Sequence, residues 1–436
     1  MKRLLALAAV SLVVATGTAG WSLADTTPKA DPPSYEKLQL MADIMTLVEA
    51  EYVEPIETQQ LVEGALNGAL SRLDPHSGYV PPVDYVEQRK AARREYGGLG
   101  IEVSMEGGLV RINFALNEGP AYAAGIRSGD FITAVEGDSV LGKDLDDAVA
   151  GMRGLAGDPV VVTVLSEGQE PRDVTVVRQQ VRGRAVRHRV EEGLGYLQIE
   201  TFNNDKLTSD VIQALELLEA ELGGSIPGLI IDVRGNRGGL LTEAISVSGL
   251  FLDGGEVLSA RGRRPEDTER YHAERGELYP DVPIVVLVSP GSASAAEILP
   301  GALQDRGRAI VLGRRTFGKG SVQSVIPLSG NRGALRMTTQ KYYTPSGKSI
   351  QGRGIMPDLL VAAFEDTGEL RRRFREDSLP NALINSDTSD YEEDYDSVLF
   401  PTEAQAETVD FQLRKAVEIL KTSQYRTLLD AQSDLD

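Results

Sequence analysis

Residues 285–323 set an apolar run, a turn of small residues, a helix-like stretch, a second apolar run and a glycine-bracketed lysine in series, and few folds accommodate that order. Val285-Val286-Leu287-Val288 reads as a buried strand. Ser289-Pro290-Gly291-Ser292-Ala293-Ser294 turns the chain into a helical stretch reaching about Gln304, and Ala309–Leu312 forms the second strand. The segment Gly313–Gln323 follows, with Lys319 between Gly318 and Gly320. A small-residue turn between strand and helix holds a hydroxyl at the helix N-terminus, where free N–H groups and the helix dipole favour developing negative charge. A lysine between glycines can approach such a hydroxyl closely. These residues predict Ser294 as a nucleophile and Lys319 as its base.

Two plainer readings compete. Ser294-Ala-Ala-Glu297 is also a capping box, in which both side chains only satisfy the first turn of the helix. Gly313-x-x-x-x-Gly318-Lys319 nearly spells a phosphate loop. Gly320 stands where that loop needs Ser or Thr, and the alternation of Val322, Ser324 and Ile326 predicts a strand where a phosphate loop opens a helix.

The chain has 436 residues, enough for about three domains. An excess of acidic over basic residues, 65 against 45, disfavours nucleic acid as a partner. Met1-Lys2-Arg3 followed by the apolar run Leu4–Ala15 is of secretory type, and Ser22-Leu23-Ala24 is a small-x-small cleavage site. The expectation is a mature chain from Asp25, with an uncleaved anchor as the alternative. Export with no cysteine suits a bacterial envelope, the periplasm, rather than a disulfide scaffold.

After a polar linker, Thr26–Pro33, helical spacing recurs at Leu40, Met41, Ile44, Leu47 and Val48, and again at Leu61, Ala65, Ala69 and Leu73, before Asp74-Pro75 stops the second helix. This helical unit is too small to bury both apolar faces, so it is expected to pack on another domain or a second subunit. Tyr96-Gly97-Gly98-Leu99-Gly100 precedes the strand-like Ile101–Val103. Successive N–H groups in such a loop form a nest for a carboxylate, and the strand edge can accept an added peptide strand. With Ala124-Gly-Ile-Arg-Ser-Gly-Asp130 downstream, residues 94–182 resemble a PDZ domain.

From Leu194 strands and helices alternate. Gly228–Val233 is a buried strand of parallel type, ending in Arg234-Gly-Asn-Arg-Gly-Gly239 before a helix at Leu240–Leu250. Glycine-rich loops at two strand C-termini can face one site. Beyond Phe364 come a basic cluster, Arg371–Arg375, an acidic run at Asp387–Asp396 read as a solvated linker, and a last helix carrying Val409, Leu413, Ala416 and Leu420 on one face. The three histidines fall at His76, in a turn, His188, and His272, in a charged, loop-like run. No H-E-x-x-H motif or Cys/His cluster is present, so no metal site is expected.

Leu73-Asp-Pro-His-Ser77, Gly291-Ser-Ala-Ser-Ala-Ala-Glu-Ile298, Phe317-Gly-Lys-Gly320 and Tyr343-Thr-Pro-Ser-Gly347 resemble, in this order, the carboxy-terminal processing (tail-specific) peptidases. These are Ser/Lys-dyad serine peptidases with a PDZ domain. The resemblance implies a multidomain chain of mixed α+β and α/β type: a signal peptide at 1–24, a linker and helical segment at 25–93, the PDZ domain at 94–182, a crotonase-like α/β peptidase core at 183–364, and an acidic linker with a C-terminal helix at 365–436. It implies Ser294 as nucleophile, Lys319 as general base, Gln323 orienting the lysine, and the backbone of Gly239 and Ala295 as oxyanion hole, with Gly238 as a further candidate. Substrate C-termini would bind at Gly97, Gly98, Leu99 and Gly100, and the PDZ unit would gate the dyad. No cofactor is implied; a homodimer and an envelope adaptor protein are. The sequence departs from the family's wording at Arg234–Arg237, at Ser289 and at Ala296. The alternative is a PDZ adaptor that binds tails on an inactive peptidase-like core.

Overall fold

The computed structural model describes residues 35–92, 96–116, 119–166, 168–179, 185–363, 375–385, 397–402 and 410–433. The expected leader, the proline-bearing linker and the acidic run 387–396 lie outside the described residues, as do Val409 and most of the basic cluster. The chain divides into two compact units, residues 1–62 and 63–436. The first contains the helix Tyr35–Glu51, whose Leu40, Ile44 and Leu47 are all exposed. The second helix, Thr58–Leu70, stops short of Leu73, which is exposed beyond its end.

Alternation builds the PDZ unit. In the strand Pro159–Leu165, Val160, Val162 and Val164 point inward and are fully buried, while their neighbours face out. The strands run Ile101–Glu106, Leu109–Ala115, Phe131–Val135, Pro159–Leu165 and Arg172–Val177 in spatial order, so Ile101–Glu106 is an edge. A short helix, Leu145–Met152, starts where the Asp144 carboxylate accepts from Asp147 N–H at 2.8 Å. Its C-terminal end is closed by the Arg178 guanidinium, which donates to the Gly151 and Met152 carbonyls at 3.2 and 3.0 Å.

The core is organised by a sheet whose strands run Val186–Glu191, Leu194–Ile199, Leu229–Asp232, Ile284–Val288, Ile310–Gly313 and Leu359–Leu360. The first pair is antiparallel and the remainder parallel. Both faces are covered, which explains why these strands read as unbroken apolar runs. Leu229, Ile231, Val286 and Val288 pack with the helices Leu207–Glu221, Leu241–Gly249 and Ala295–Asp305. Ile230, Val285 and Leu287 pack with Leu413, Ala416 and Ile419 of the helix Phe411–Lys421. The C-terminal helix therefore backs the sheet of its own chain.

A second, all-antiparallel sheet pairs Gly78–Val80, Ala334–Tyr343, Gly255–Gly262 and Glu269–Ala273, with Ser321–Pro327 alongside Ala334–Tyr343. His272, expected in a loop, lies on its Glu269–Ala273 strand and is exposed. Charged side chains on an edge strand mask its period, which is why that segment reads as loop. Gly313–Gly318 is followed by the strand Ser321–Pro327, as the alternation predicts, and not by the helix a phosphate loop requires.

A partly buried polar cluster ties the start of the helix Phe411–Lys421 to the loop after Leu229–Asp232. The Arg234 guanidinium bridges Asp232 and Asp410, each at 2.6 Å, and Tyr196 Oη donates to Asp232 at 2.7 Å. Arg234→Met leaves Asp232 buried without its counter-charge, and urea unfolding is expected to show a loss of about 3 kcal/mol.

Candidate active site

The loop after Ile284–Val288 is stitched to the loop after Leu229–Asp232. Ser292 Oγ donates to the Val233 carbonyl at 2.7 Å and accepts from Ser289 N–H at 3.1 Å. Ser289 Oγ accepts from Gly235 and Gly291 N–H at 3.1 and 3.2 Å. Ala293 N–H donates to the Asn236 carbonyl at 2.9 Å. These bonds drive Ser294 into φ 58° and ψ −122° at the start of the helix Ala295–Asp305. A side chain in that region costs about 1–3 kcal/mol and persists only where its surroundings over-determine it. The effect is to lift the Ser294 hydroxyl to the helix N-terminus.

The capping-box glutamate does more than cap. Glu297 is fully buried and accepts four hydrogen bonds. Oε2 takes Ser294 N–H at 2.7 Å and Lys319 N–H at 2.9 Å; Oε1 takes Gly318 N–H at 2.8 Å and the Thr316 hydroxyl at 2.5 Å. A single carboxylate thus clamps the backbone of Ser294 and the backbone of Lys319. Burial pushes its pKa from 4.5 up to about 7, against the pull of those four donors.

Glycine brackets Lys319 for a reason other than access to the hydroxyl. Gly318, with φ 93°, and Gly320 lie against the backbone of Ile350–Gly354. A Cβ on Gly320 would sit 2.3 Å from Gln351 N, and one on Gly318 would sit 3.1 Å from Gly354 N. Gly352 N–H donates to the Gly318 carbonyl at 2.8 Å. Lys319 itself is half-buried.

Gly238 lies directly beside the Ser292–Ser294 turn, the serine elbow, and Gly239 follows it against Phe202 and Asn203. A Cβ on Gly238 would come within 2.8 Å of the Ala293 carbonyl and 3.0 Å of Ser294 Cβ; one on Gly239 would collide with Asn203 N at 2.2 Å. Gly238 N–H is already used, donating to Asn236 Oδ1 at 2.9 Å. Gly239 stands opposite Phe202 in a parallel bridge in which only Gly238 and Leu240 bond to Phe202. Its N–H consequently points away from that bridge. Among the described residues neither Gly239 N–H nor Ala295 N–H has an acceptor.

Other expected residues are placed differently. Gln323 Nε2 donates to Ser321 Oγ and Thr338 Oγ1 at 3.0 and 3.3 Å, and no hydrogen bond links Gln323 to Lys319. Nor does one link Ser294 Oγ to Lys319 Nζ among the described residues. In the PDZ loop, Gly98 N–H is committed to the Gln179 carbonyl at 2.8 Å and Gly97 pairs with Gly154, whereas Leu99 and Gly100 N–H have no acceptor among the described residues. Leu99 fills the PDZ core and Gly100 turns the chain at φ 74°. Asn236, buried, bonds the Ile199 carbonyl and Gly238 N–H at 2.8 and 2.9 Å, a loop-shaping role that its place among arginines and glycines does not announce. No group of three or more His, Cys, Asp or Glu among the described residues is placed to hold a metal ion.

Residues 193–361 match the model of peptidase family S41, residues 115–166 that of a PDZ domain, and residues 17–82 that of the activating protease CtpB N-terminal domain. A carboxy-terminal-processing protease of Bartonella bacilliformis is 44% identical over 337 residues, covering 77% of this chain and 77% of its own length. The chain belongs to peptidase family S41. A probable CtpA-like serine protease of Staphylococcus aureus is 32% identical over 76% of this chain and 66% of its own length. The solved photosystem II D1 C-terminal processing protease is 28% identical at a TM-score of 0.47, covering 80% of this chain and 93% of that one. As an S41 member the chain is a serine-type peptidase carrying a PDZ domain, and membership favours that reading over a tail-binding adaptor.

The Glu297 clamp has a signed pH dependence. The folded chain keeps a proton on Glu297 more readily than the unfolded chain, so this group's contribution to stability falls as pH rises from about 4.5 to about 7 and is flat above. Glu297→Gln has no such slope, and its single amide oxygen leaves two donors without a partner. Urea unfolding should find the variant less stable at every pH, with the parent's advantage shrinking by on the order of 3 kcal/mol from pH 4.5 to pH 7.

Proposed function

We propose that this S41 peptidase cleaves protein substrates near their C-termini with a Ser294/Lys319 dyad, the PDZ unit capturing the tail. The observation that carries the reading is that a strained serine at a helix N-terminus and a glycine-bracketed lysine share one buried carboxylate. The Lys319 amine takes the proton from Ser294 Oγ as that oxygen adds to the scissile carbonyl carbon. The carbonyl oxygen becomes an oxyanion and receives the Gly239 and Ala295 N–H groups. As the intermediate collapses, the C–N bond breaks and the lysine returns the proton to the leaving amine. A water then adds to the acyl-serine by the same route, releasing the new C-terminus and restoring the hydroxyl.

Ser294 Oγ and Lys319 Nζ must come within hydrogen-bond reach for the first transfer. No hydrogen bond links them in this state, which suits a dyad that closes when a tail is captured, with Gln323 turning from Ser321 and Thr338 to orient the amine. The free N–H groups of Leu99 and Gly100 suit a terminal carboxylate, and the open edge Ile101–Glu106 suits strand addition. That edge reaches the core through Arg187, which pairs with Glu102 at 3.3 Å.

The PDZ unit on this reading spans 94–182, the peptidase core 183–364 and the C-terminal segment 365–436. Export to the cell envelope is supported by Met1-Lys2-Arg3 ahead of Leu4–Ala15 and by the absence of cysteine. A homodimer is supported by the exposed Leu40, Ile44 and Leu47 on one helix, and an envelope adaptor is a further candidate partner.

Ser294→Ala and Lys319→Ala are each expected to lower cleavage of a tail peptide by about 10³-fold or more; parent-like cleavage by either variant would sink the dyad. Amidating the C-terminus of that peptide removes the charge the nest binds, and is expected to raise KM by about 10-fold or more. An unchanged KM would place tail capture elsewhere.

A further inference from the structure

The loop that carries Lys319 is held on a second side, by groups to which the dyad mechanism gives no task. Glu376, fully buried in the short turn Glu376–Ser378, donates its backbone N–H to the Phe317 carbonyl at 3.1 Å. Its Oε1 accepts from Gln351 Nε2 at 3.0 Å, and Gln351 Oε1 in turn accepts Gly320 N–H at 3.1 Å. One residue therefore fixes the loop at Phe317, before the lysine, and at Gly320, after it. Glu297 fixes the middle, through Gly318 and Lys319.

The Glu376 carboxylate needs a counter-group, and His76 supplies it. His76 Nε2 lies 2.8 and 3.0 Å from the two carboxylate oxygens. The histidine ring is not free to wander. Asp74 accepts His76 N–H and Ser77 N–H, both at 2.8 Å, and the Ser77 hydroxyl at 2.7 Å. Ser77 Oγ accepts Thr338 N–H at 3.1 Å, and the His76 carbonyl accepts Arg336 Nε at 2.9 Å. The Asp74–Ser77 turn is thus bolted to the strand Ala334–Tyr343, and its proline-stiffened backbone presents the imidazole to Glu376. This chain of contacts approaches Ser294 through the Lys319 loop, where Phe317 N–H donates to the Ser292 carbonyl at 3.0 Å and Glu297 accepts from both Lys319 and Ser294 N–H.

We propose that His76 and Glu376 form a positioning pair for the general base: the histidine orients the buried carboxylate, and the carboxylate, directly and through Gln351, sets where the Lys319 loop stands. The inference rests on the reading of Lys319 as base. A residue acting this way changes turnover rather than tail affinity, because the PDZ loop is untouched. A displacement of the order of 1 Å at a catalytic group costs about 10²-fold in rate.

The test uses the full chain with His76→Ala and His76→Gln; the glutamine amide can occupy the place of Nε2 and still donate to Glu376. His76→Ala is expected to lower kcat on a tail peptide by about 10- to 100-fold with KM within about 2-fold, and His76→Gln to recover most of it. Hydrogen exchange supplies a readout independent of turnover: in His76→Ala the Gly320 amide should exchange at least about 10-fold faster, while the Ser294 amide keeps the parent rate. Unchanged kcat and unchanged Gly320 exchange in His76→Ala would overturn the proposal. So would equal losses in the alanine and glutamine variants that track a fall in Tm, since that pattern marks a residue needed only for folding. Parent-like activity in Lys319→Ala would instead defeat the dyad, and the exchange result would still report on the pair.

Discussion

A carboxylate with no access to water is expensive to keep, and Glu297 is kept because four donors converge on it from two separated loops. Two of them belong to the residues proposed as nucleophile and base. Their relative position is therefore set by one rigid group in the first turn of a buried helix, rather than by the packing of two flexible loops. The strain at Ser294 follows from the same arrangement. The loop is pinned at Ser289, Ser292 and Ala293 to the neighbouring strand end, and at Ser294 to Glu297, so the chain turns into the helix through a backbone region that serine avoids.

The parallel sheet supplies the platform. Glycine-rich loops leave the C-terminal ends of Leu229–Asp232 and Ile284–Val288, which are neighbours in register, so Gly238-Gly239 and the serine elbow meet without any long excursion. Accounting for backbone donors then separates the two glycines. Gly238 N–H is consumed by Asn236, whereas Gly239, facing away from Phe202 in a parallel bridge, has no acceptor for its N–H among the described residues. In the PDZ loop Gly98 N–H bonds the Gln179 carbonyl, while Leu99 and Gly100 N–H have no acceptor among the described residues. Donor availability, more than glycine content, marks where negative charge can be received.

Much of this was legible in the chain. The strand–turn–helix series at 285–305 and the strand rather than helix after Lys319 carry local period and turn signals, and these persist in the structure. What was hidden depends on contacts between distant residues. The run around His272 reads as loop because its apolar period is broken by charge, and Glu269–Ala273 becomes a strand by pairing with Gly255–Gly262, which in turn pairs with Ala334–Tyr343. Glu297 announces a cap in the sequence, but its hold on Thr316, Gly318 and Lys319 is invisible at a spacing of about one strand and one helix. His76 reads as a turn histidine, and so it is; its partner Glu376 lies 300 residues along the chain.

If Glu297 sets the chemistry at Ser294, its loss must register at that hydroxyl. The most direct measurement is the rate at which a fluorophosphonate labels Ser294 in the parent and in Glu297→Gln, with a tail peptide present and both proteins verified as folded. Slower labelling of the variant by about 100-fold, with Ser294 the site modified in the parent, is the predicted result. Labelling of folded Glu297→Gln at the parent rate would contradict it.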